Sequence, residues 1–346
     1  MTEEMRVAIG QARELTHELL TFAAQIGASG VLLNTPILPG EQQWEFADLR
    51  WLRERCAQYG LRLEALENVP VSFYDRAMLG LPGGDQQIAH YQETIRNLGR
   101  AGITTLGYHW MPGGVWRTPP KRLGRGGAVA SAFDNSLVDT HPLVFGTHKH
   151  PLLEGRTVSA EELWQNYSRF ISAVLPVAED AGVTLALHPD DPPVPMLGGV
   201  ARLFHGFAGF QRAMEMFDSP YHKLDFCTGC WSEMGPGVVE AIHYFGERDK
   251  IAYVHFRDVQ GKVPDFQECF LGEGNMDVVA VMQALKTVNF RGFIIDDHVP
   301  AIIDDTSWGH RGRAHATGYL MGLLAAVKSL DYNGSKNLDT SQTSDL

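Results

Sequence analysis

A histidine and two carboxylates close an apolar run at Leu187-His188-Pro189-Asp190-Asp191-Pro192-Pro193. The run from Val183 to Leu187 is aliphatic and β-branched, and the prolines end it. It reads as a strand whose last residues carry metal-binding groups to a surface. Three later runs end alike, on Cys227, His255 and Asp297. Neutral imidazole, thiolate and carboxylate all bind divalent first-row metals. Successive strands ending on such residues are the form a metal site takes on a parallel barrel.

Each residue alone carries little weight. A single histidine after an apolar run is more often a hydrogen-bonded structural residue, and a strand cysteine is more often core. The joint pattern over four strand ends is the signal. Cys227-Thr228-Gly229-Cys230 is also a C-x-x-C. A redox pair favours a helix N-terminus, whereas Cys227 falls inside a strand run. A zinc ribbon needs a second such pair, which is missing. The reading adopted is Cys227 as ligand and Cys230 as bystander.

The elements that must position these groups alternate. Strand-like runs cover Arg6–Gly10, Gly30–Asn34, Leu61–Asn68, Thr104–Trp110, Val183–Pro189, Lys223–Thr228, Ile251–Asp258 and Gly292–Val299. Helical spacing marks Leu15–Ile26, Trp44–Tyr59, Gln86–Ala101, Glu161–Ala181, Val200–Phe217, Val238–Phe245, Met276–Val288 and Gly318–Leu330. Gly60, Gly102 and Gly182 stand where helix C-caps need a left-handed residue. Eight strand–helix units predict an α/β fold, a (β/α)8 TIM barrel. The rival, an open doubly wound sheet, usually has a glycine-rich first turn, and none follows the first strand. Residues 1–330 read as one domain and 331–346 as a disordered tail. Residues 111–158 form an aperiodic insertion after strand four, expected over the C-terminal face where barrel active sites lie.

The chain has 346 residues and a formal net charge of −12. That balance argues against nucleic acid or an anionic membrane as partner. No apolar run of ~18 residues predicts a membrane span, and the opening MTEEMRVAIG has no secretory leader. Cys56, Cys227, Cys230 and Cys269 are too few for a disulfide framework, so a reducing, cytoplasmic setting is expected.

The chain resembles the mannonate dehydratases. The resemblance rests on His188-Pro189-Asp190-Asp191-Pro192-Pro193, Phe226-Cys227-Thr228-Gly229, His255-Phe256-Arg257 and Asp297-His298. Upstream it includes Glu67-Asn68-Val69-Pro70, Tyr91 to Leu98, Met111-Pro112 and Trp116-Arg117-Thr118, and it spans roughly residues 25 to 325. It implies a xylose-isomerase-like barrel, one Mn²⁺ or Fe²⁺ held by His188, Cys227, His255 and Asp297, and dehydration of D-mannonate to 2-keto-3-deoxy-D-gluconate in hexuronate catabolism. It implies His298 and Tyr319 as acid and base, in either order; the plain reading of Tyr319 is helix packing. Barrels of this class commonly form dimers or tetramers, so a homo-oligomer is expected. Departures bear on the substrate. The family often has Arg-Pro where this chain has Ile295-Asp296, Asn where it has His109, and His where it has Gln267.

Trp116, Arg117, Asp190, Glu67 and Arg313 are the candidates for substrate contact. Arg117 is the expected anion clamp. Arg311 or Arg313 could stand in for the missing Arg at Ile295. Asp190 and Asp191 can instead orient a ligand or Arg117, or cap the turn, and Glu67 can lie at the surface. Two other functions fit the same residues: a sugar isomerase or epimerase working through an enediol, and a non-catalytic metal-dependent sugar binder.

Overall fold

A computed structural model describes residues 4–146, 151–153 and 155–339, with only the helical backbone given from 331. The eight expected strands are all present. They are β1 (Arg6–Val7 and Ile9–Ala12, interrupted at Ala8), β2 (Gly30–Asn34), β3 (Arg62–Glu67), β4 (Thr105–Tyr108), β5 (Thr184–Leu187), β6 (His222–Cys227), β7 (Ile251–His255) and β8 (Phe293–Ile295). All neighbours in this sheet run parallel. β1 closes the ring, because Arg6 and Val7 pair with β8 while Ile9 and Ala12 pair with β2. The Ala8 N–H bridges the interruption by donating to Ile294 O at 2.9 Å.

The barrel axis is filled by Ala8, Leu32, Ala65, Ala186, Tyr253, Phe293 and Ile295. Small residues make room for large ones, as barrel layers require. A Cβ on Gly10 would stand 2.5 Å from Ile295 Cδ1, and one on Gly107 would collide with the Tyr253 hydroxyl and come within 2.9 Å of Glu67 Cγ. A larger core lies between the strands and the surrounding helices. Gly102 and Gly182 take the left-handed cap conformation, with φ of 73° and 66°.

Three local readings change. Val200–Phe217 is not one helix: a hairpin, Met196–Leu197 with Val200–Ala201, precedes a helix at Phe207–Met216. The cause is Asp190, whose carboxylate accepts from Phe204 N–H at 2.6 Å and from Arg202 Nη1 at 3.4 Å, pinning the intervening chain out of helix. The last helix begins at His310, where Asp305 Oδ1 accepts from Arg311 N–H at 2.9 Å and Thr306 Oγ1 from Gly309 N–H at 3.2 Å. It continues to Asp339, and residues 340–346 of the expected tail lie outside the described residues. A short helix, Thr228–Met234, starts directly at Cys227, whose sulfur accepts from Cys230 N–H at 3.5 Å.

The insertion after β4 carries a strand of its own. Ala132–Asp134 pairs antiparallel with Asp265–Cys269, which pairs with Asp258–Lys262 in the excursion after β7. Trp116, Phe133, Val138, Val194, Leu197, Val259 and Phe266 form a satellite core beneath this sheet. The insertion is thereby tied to the C-terminal ends of β5 and β7.

Gly107→Val is expected to lower stability by about 1–3 kcal/mol, because the added methyls meet Tyr253 and Glu67 inside a filled barrel. A denaturant or thermal melt measures this, and an unchanged midpoint would show that the interior can yield.

Candidate metal centre

β6, β7 and β8 deliver Cys227, His255 and Asp297 to one point, with a ligand atom of each within 4.8 Å of the others. Cys227 Sγ is 3.9 Å from Asp297 Oδ2, and His255 Nδ1 is 3.6 Å from Asp297 Oδ1. His188 joins from β5. It lies within the same reach of Cys227, and its ring centroid is 5.3 Å from that of His255. Its Nδ1 is 2.7 Å from Pro189 O and so carries the proton, leaving Nε2 as the donor atom. Asp297 has a left-handed backbone, φ 49°. Such strain is held only where surrounding contacts fix it. Arg313 supplies them, donating from Nη1 to Asp296 Oδ1 at 3.1 Å and to Asp297 O at 3.0 Å.

The donor set fits a divalent ion. His255 Nδ1 is buried and has no hydrogen-bond partner among the described residues, so a lone pair is open at the cluster. The other ring nitrogen is fixed: Glu67 Oε2 accepts from Nε2–H at 2.8 Å. Carboxylate, histidine and open nitrogen form the triad that holds metal-binding imidazoles in one tautomer. Burial would raise the Cys227 thiol, but hydrogen bonding to Cys230 and the Arg257 charge prevail and hold it well below the ordinary thiol range. It is therefore available as thiolate, the ligand form. Burial alone would lower His188, yet Asp225 and the Cys227 sulfur lift it to about 10.

Two other acidic clusters do not compete. Asp225 lies two residues before Cys227 on β6, deeper in the barrel, and burial drives its carboxyl far up into the neutral form. Asp191, Cys230 and Glu233 surround a cation already: Arg257 Nη2 stands 3.2 Å from Asp191, 3.1 Å from Cys230 Sγ and 3.3 Å from Glu233. Cys230 Sγ is thus turned to Arg257, and Cys227 is the last residue of β6, as inferred, while also capping the helix that follows, so the pair does lie at a helix N-terminus.

Arg257 is the residue the sequence reading quoted but gave no role. It touches Glu268 through Nη1, Asp297 Oδ2 through Nε at 3.2 Å and Cys227 Sγ through Nη2 at 3.4 Å. Beside it Arg117 grips Asp191 with two bonds, 2.5 and 2.7 Å, and reaches Glu268 at 3.0 Å. Two guanidiniums and two carboxylates thus form a closed, buried quartet. Glu268 is held far below the usual carboxylate range: burial opposes this, but His298, Arg257 and Arg117 outweigh it. It accepts from His298 Nδ1–H at 3.0 Å, leaving His298 Nε2 3.6 Å from Asp297 Oδ1. The His298 side chain is 39 % exposed at the rim, while Cys227 and His255 are fully buried.

The remaining sequence candidates fall elsewhere. Arg117 and Arg313 are committed to protein carboxylates and carbonyls rather than presented as free anion clamps. Asp190 holds the 202–206 loop, and Glu67 holds His255. Trp116 is buried in the satellite core, with Nε1 donating to Gly113 O at 3.0 Å. Tyr319 is not brought to the cluster: its hydroxyl lies by Gly272 and its ring by His315, on the outer helix. Ile295 is wholly buried on the barrel axis, and Arg311 is exposed, bonded to Ile303 O. His109 follows β4 beside His188. Burial first, then His188 and Arg202, hold it neutral, down at about 3.

A closed parallel barrel with imidazole, thiolate and carboxylate donors at its C-terminal mouth defines the class: a TIM barrel with the donor set of a metal-dependent enzyme. Its fold is shared with L-ribulose 3-epimerase, at TM-score 0.62 and 16% identity over 99% of this chain and 100% of that one. The chain belongs to the D-mannonate dehydratase (UxuA) family, whose pattern it matches over residues 9–333. Mannonate dehydratase 2 of Halalkalibacterium halodurans is 30% identical over 83% of this chain and 88% of its own. The mannonate dehydratase of Thermotoga maritima is 29% identical over 88% and 91%. The crystal structure of mannonate dehydratase from Streptococcus suis serotype 2 superposes with TM-score 0.85 at 28% identity, covering 95% of each chain.

Glu67→Ala is expected to weaken Mn²⁺ binding about 10- to 100-fold with the fold intact, since His255 loses the partner that fixes its tautomer. Metal retained after dialysis reads this. Mn²⁺ uptake should also release protons and tighten as pH rises, because the raised His188 must lose its proton to bind. Calorimetry in buffers of different ionisation enthalpy tests the sign; uptake independent of pH would remove His188 from the ligand set.

Proposed function

We propose that this chain is a hydro-lyase that takes water from D-mannonate to give 2-keto-3-deoxy-D-gluconate, as in hexuronate breakdown. The supporting observation is the convergence of Cys227, His255 and Asp297, flanked by His188, with a rim imidazole held by Glu268. Mn²⁺ or Fe²⁺ would be held by His188, Cys227, His255 and Asp297. When bound, the ion supplies positive charge for the substrate carboxylate and for the enediolate that forms as C2 loses its proton. That role matters here because Arg117, Arg257 and Arg313 are already paired inside the protein.

The chain's own part is proton transfer and positioning. The C2–H bond breaks, a C2–C3 double bond forms, and the C3 hydroxyl leaves as water after protonation; the enol then becomes the ketone. His298 is the acid–base group the geometry favours. Glu268 takes its Nδ1–H, which turns Nε2 towards the cluster, and the ring is open at the rim. Arg117 and Arg257 keep Glu268 ionised, so His298 keeps its orientation.

Mn²⁺-loaded protein is expected to form a 2-keto-3-deoxy acid from D-mannonate, and His188→Ala to abolish it. Absence of product above that control would overturn the substrate assignment. An aldose and ketose panel in D₂O separates dehydration from isomerisation, which would exchange deuterium without losing water. His298→Ala should lower kcat about 10²- to 10⁴-fold with metal retained. Asp297 and Glu268 raise His298 above its ordinary 6.5 against the opposing effect of burial. If it removes the C2 proton, kcat/KM rises with pH through that raised value; if it protonates the leaving hydroxyl, kcat/KM falls. A profile without that limb, or one unchanged in His298→Ala, would exclude the residue from proton transfer.

A further inference from the structure

We propose that His109 is a fixed neutral hydrogen-bond donor that holds a substrate hydroxyl on the side of the metal centre remote from His298. The inference deepens the reading of the site as one for a polyhydroxy acid. It starts from the strand alternation at the end of β4. Tyr108 bonds outward to Tyr167 Oη at 3.0 Å and His222 Nε2 at 2.9 Å. Trp110 packs outward on Tyr167 and Phe170, with ring centroids 5.4 and 5.1 Å apart. The residue between two outward neighbours faces the barrel axis.

Register then places it. Tyr108 pairs with Leu187, and His188 N–H donates to Tyr108 O at 2.8 Å, so His109 and His188 leave their strands side by side. On the other flank Glu67 pairs with Gly107, so His109 leaves β4 between the ends of β3 and β5. His298 stands across the mouth, beyond β8.

The ring's chemistry is fixed by the backbone. Met111 N–H donates to His109 Nδ1 at 3.2 Å, so the proton must sit on Nε2. The Tyr74 hydroxyl anchors the same peptide, donating to His109 O at 3.1 Å. The hydrogen bonds of the described residues use only Nδ1 of this ring. The residue keeps slight exposure, 8 %, between a tyrosine at 1 % and a tryptophan at 0 %. A neutral N–H, oriented in advance and open to the mouth, matches a hydroxyl oxygen. A polar site loses heavily when its partner is missing, so such a donor discriminates between sugar acids by the presence and stereochemistry of one hydroxyl.

Three Mn²⁺-loaded proteins decide the matter: wild type, His109→Phe and His109→Gln. The readouts are turnover of D-mannonate, calorimetric binding of D-gluconate as a second polyhydroxy acid, and bound metal. His109→Phe should raise KM and the gluconate Kd about tenfold or more, with kcat changed less than about threefold and metal at the wild-type level. His109→Gln should recover most of that loss, since its amide can accept from Met111 N–H and still donate. A KM and Kd within about twofold of wild type in His109→Phe overturns the proposal. So does loss of metal to the level of His188→Ala, or wild-type protein that binds neither acid. Wild type that binds D-gluconate but leaves D-mannonate unreacted would sink the dehydratase reading alone, because the binding comparison still tests the donor.

Discussion

Buried charge has to be balanced where it stands, and that requirement organises the whole mouth of this barrel. Asp191 and Glu268 are matched there by Arg117 and Arg257, all four nearly inaccessible to water. Removing one member would leave an uncompensated charge in a low-dielectric setting, a loss of about 3–5 kcal/mol. The thiolate and carboxylate of Cys227 and Asp297 carry negative charge beyond this quartet. Arg257 touches both and offsets part of it. The remainder is what makes a divalent ion a fitting occupant.

The quartet also couples structure to chemistry. Glu268 belongs to the small antiparallel sheet, Asp191 to the loop after β5, Arg117 to the insertion and Arg257 to the end of β7. Three excursions, after β4, β5 and β7, are thus bound at one electrostatic node, and the outer edge of that node is His298. That imidazole is oriented by a network that holds down the loops covering the site. On the opposite side Gln11, Asn34 and Glu67 form a hydrogen-bonded chain ending on His255. Asn34 Nδ2 donates to Gln11 Oε1 at 2.6 Å, and Glu67 meets His255 Nε2 at 2.8 Å. The left-handed backbones of Gln11, Thr35, Asn68 and Asp297, each within two residues of a strand end, are the local strain this arrangement sustains.

The sequence showed the candidate ligands because ligation places demands on residue type at a readable position. His188 precedes a proline, Cys227 and His255 end apolar runs, and Asp297 follows a short one, so each is visible as a strand terminus. Arg257, Glu268 and Asp191 were harder to weigh. An arginine or glutamate in a loop has no periodicity to mark it, and its burial depends on partners 11 to 151 residues away. Tyr319 shows the converse. Its place near a helix start made it available to the mouth on paper, but the helix runs outside the barrel and turns the ring towards Gly272.

What the chain determined locally is the alternation of strand and helix, the glycine caps and the residue types of the candidate metal-binding groups, because these follow from spacing and backbone freedom within a few residues. What only the tertiary structure decided is which polar side chains spend their hydrogen bonds on one another and which remain open. Arg117, Arg313, Asp190 and Glu67 are consumed internally, whereas His255 Nδ1 has no hydrogen-bond partner among the described residues. The reason is that ring closure and the two mouth loops bring together groups from every part of the chain, and pairing at that point depends on distance in space, which sequence separation does not encode.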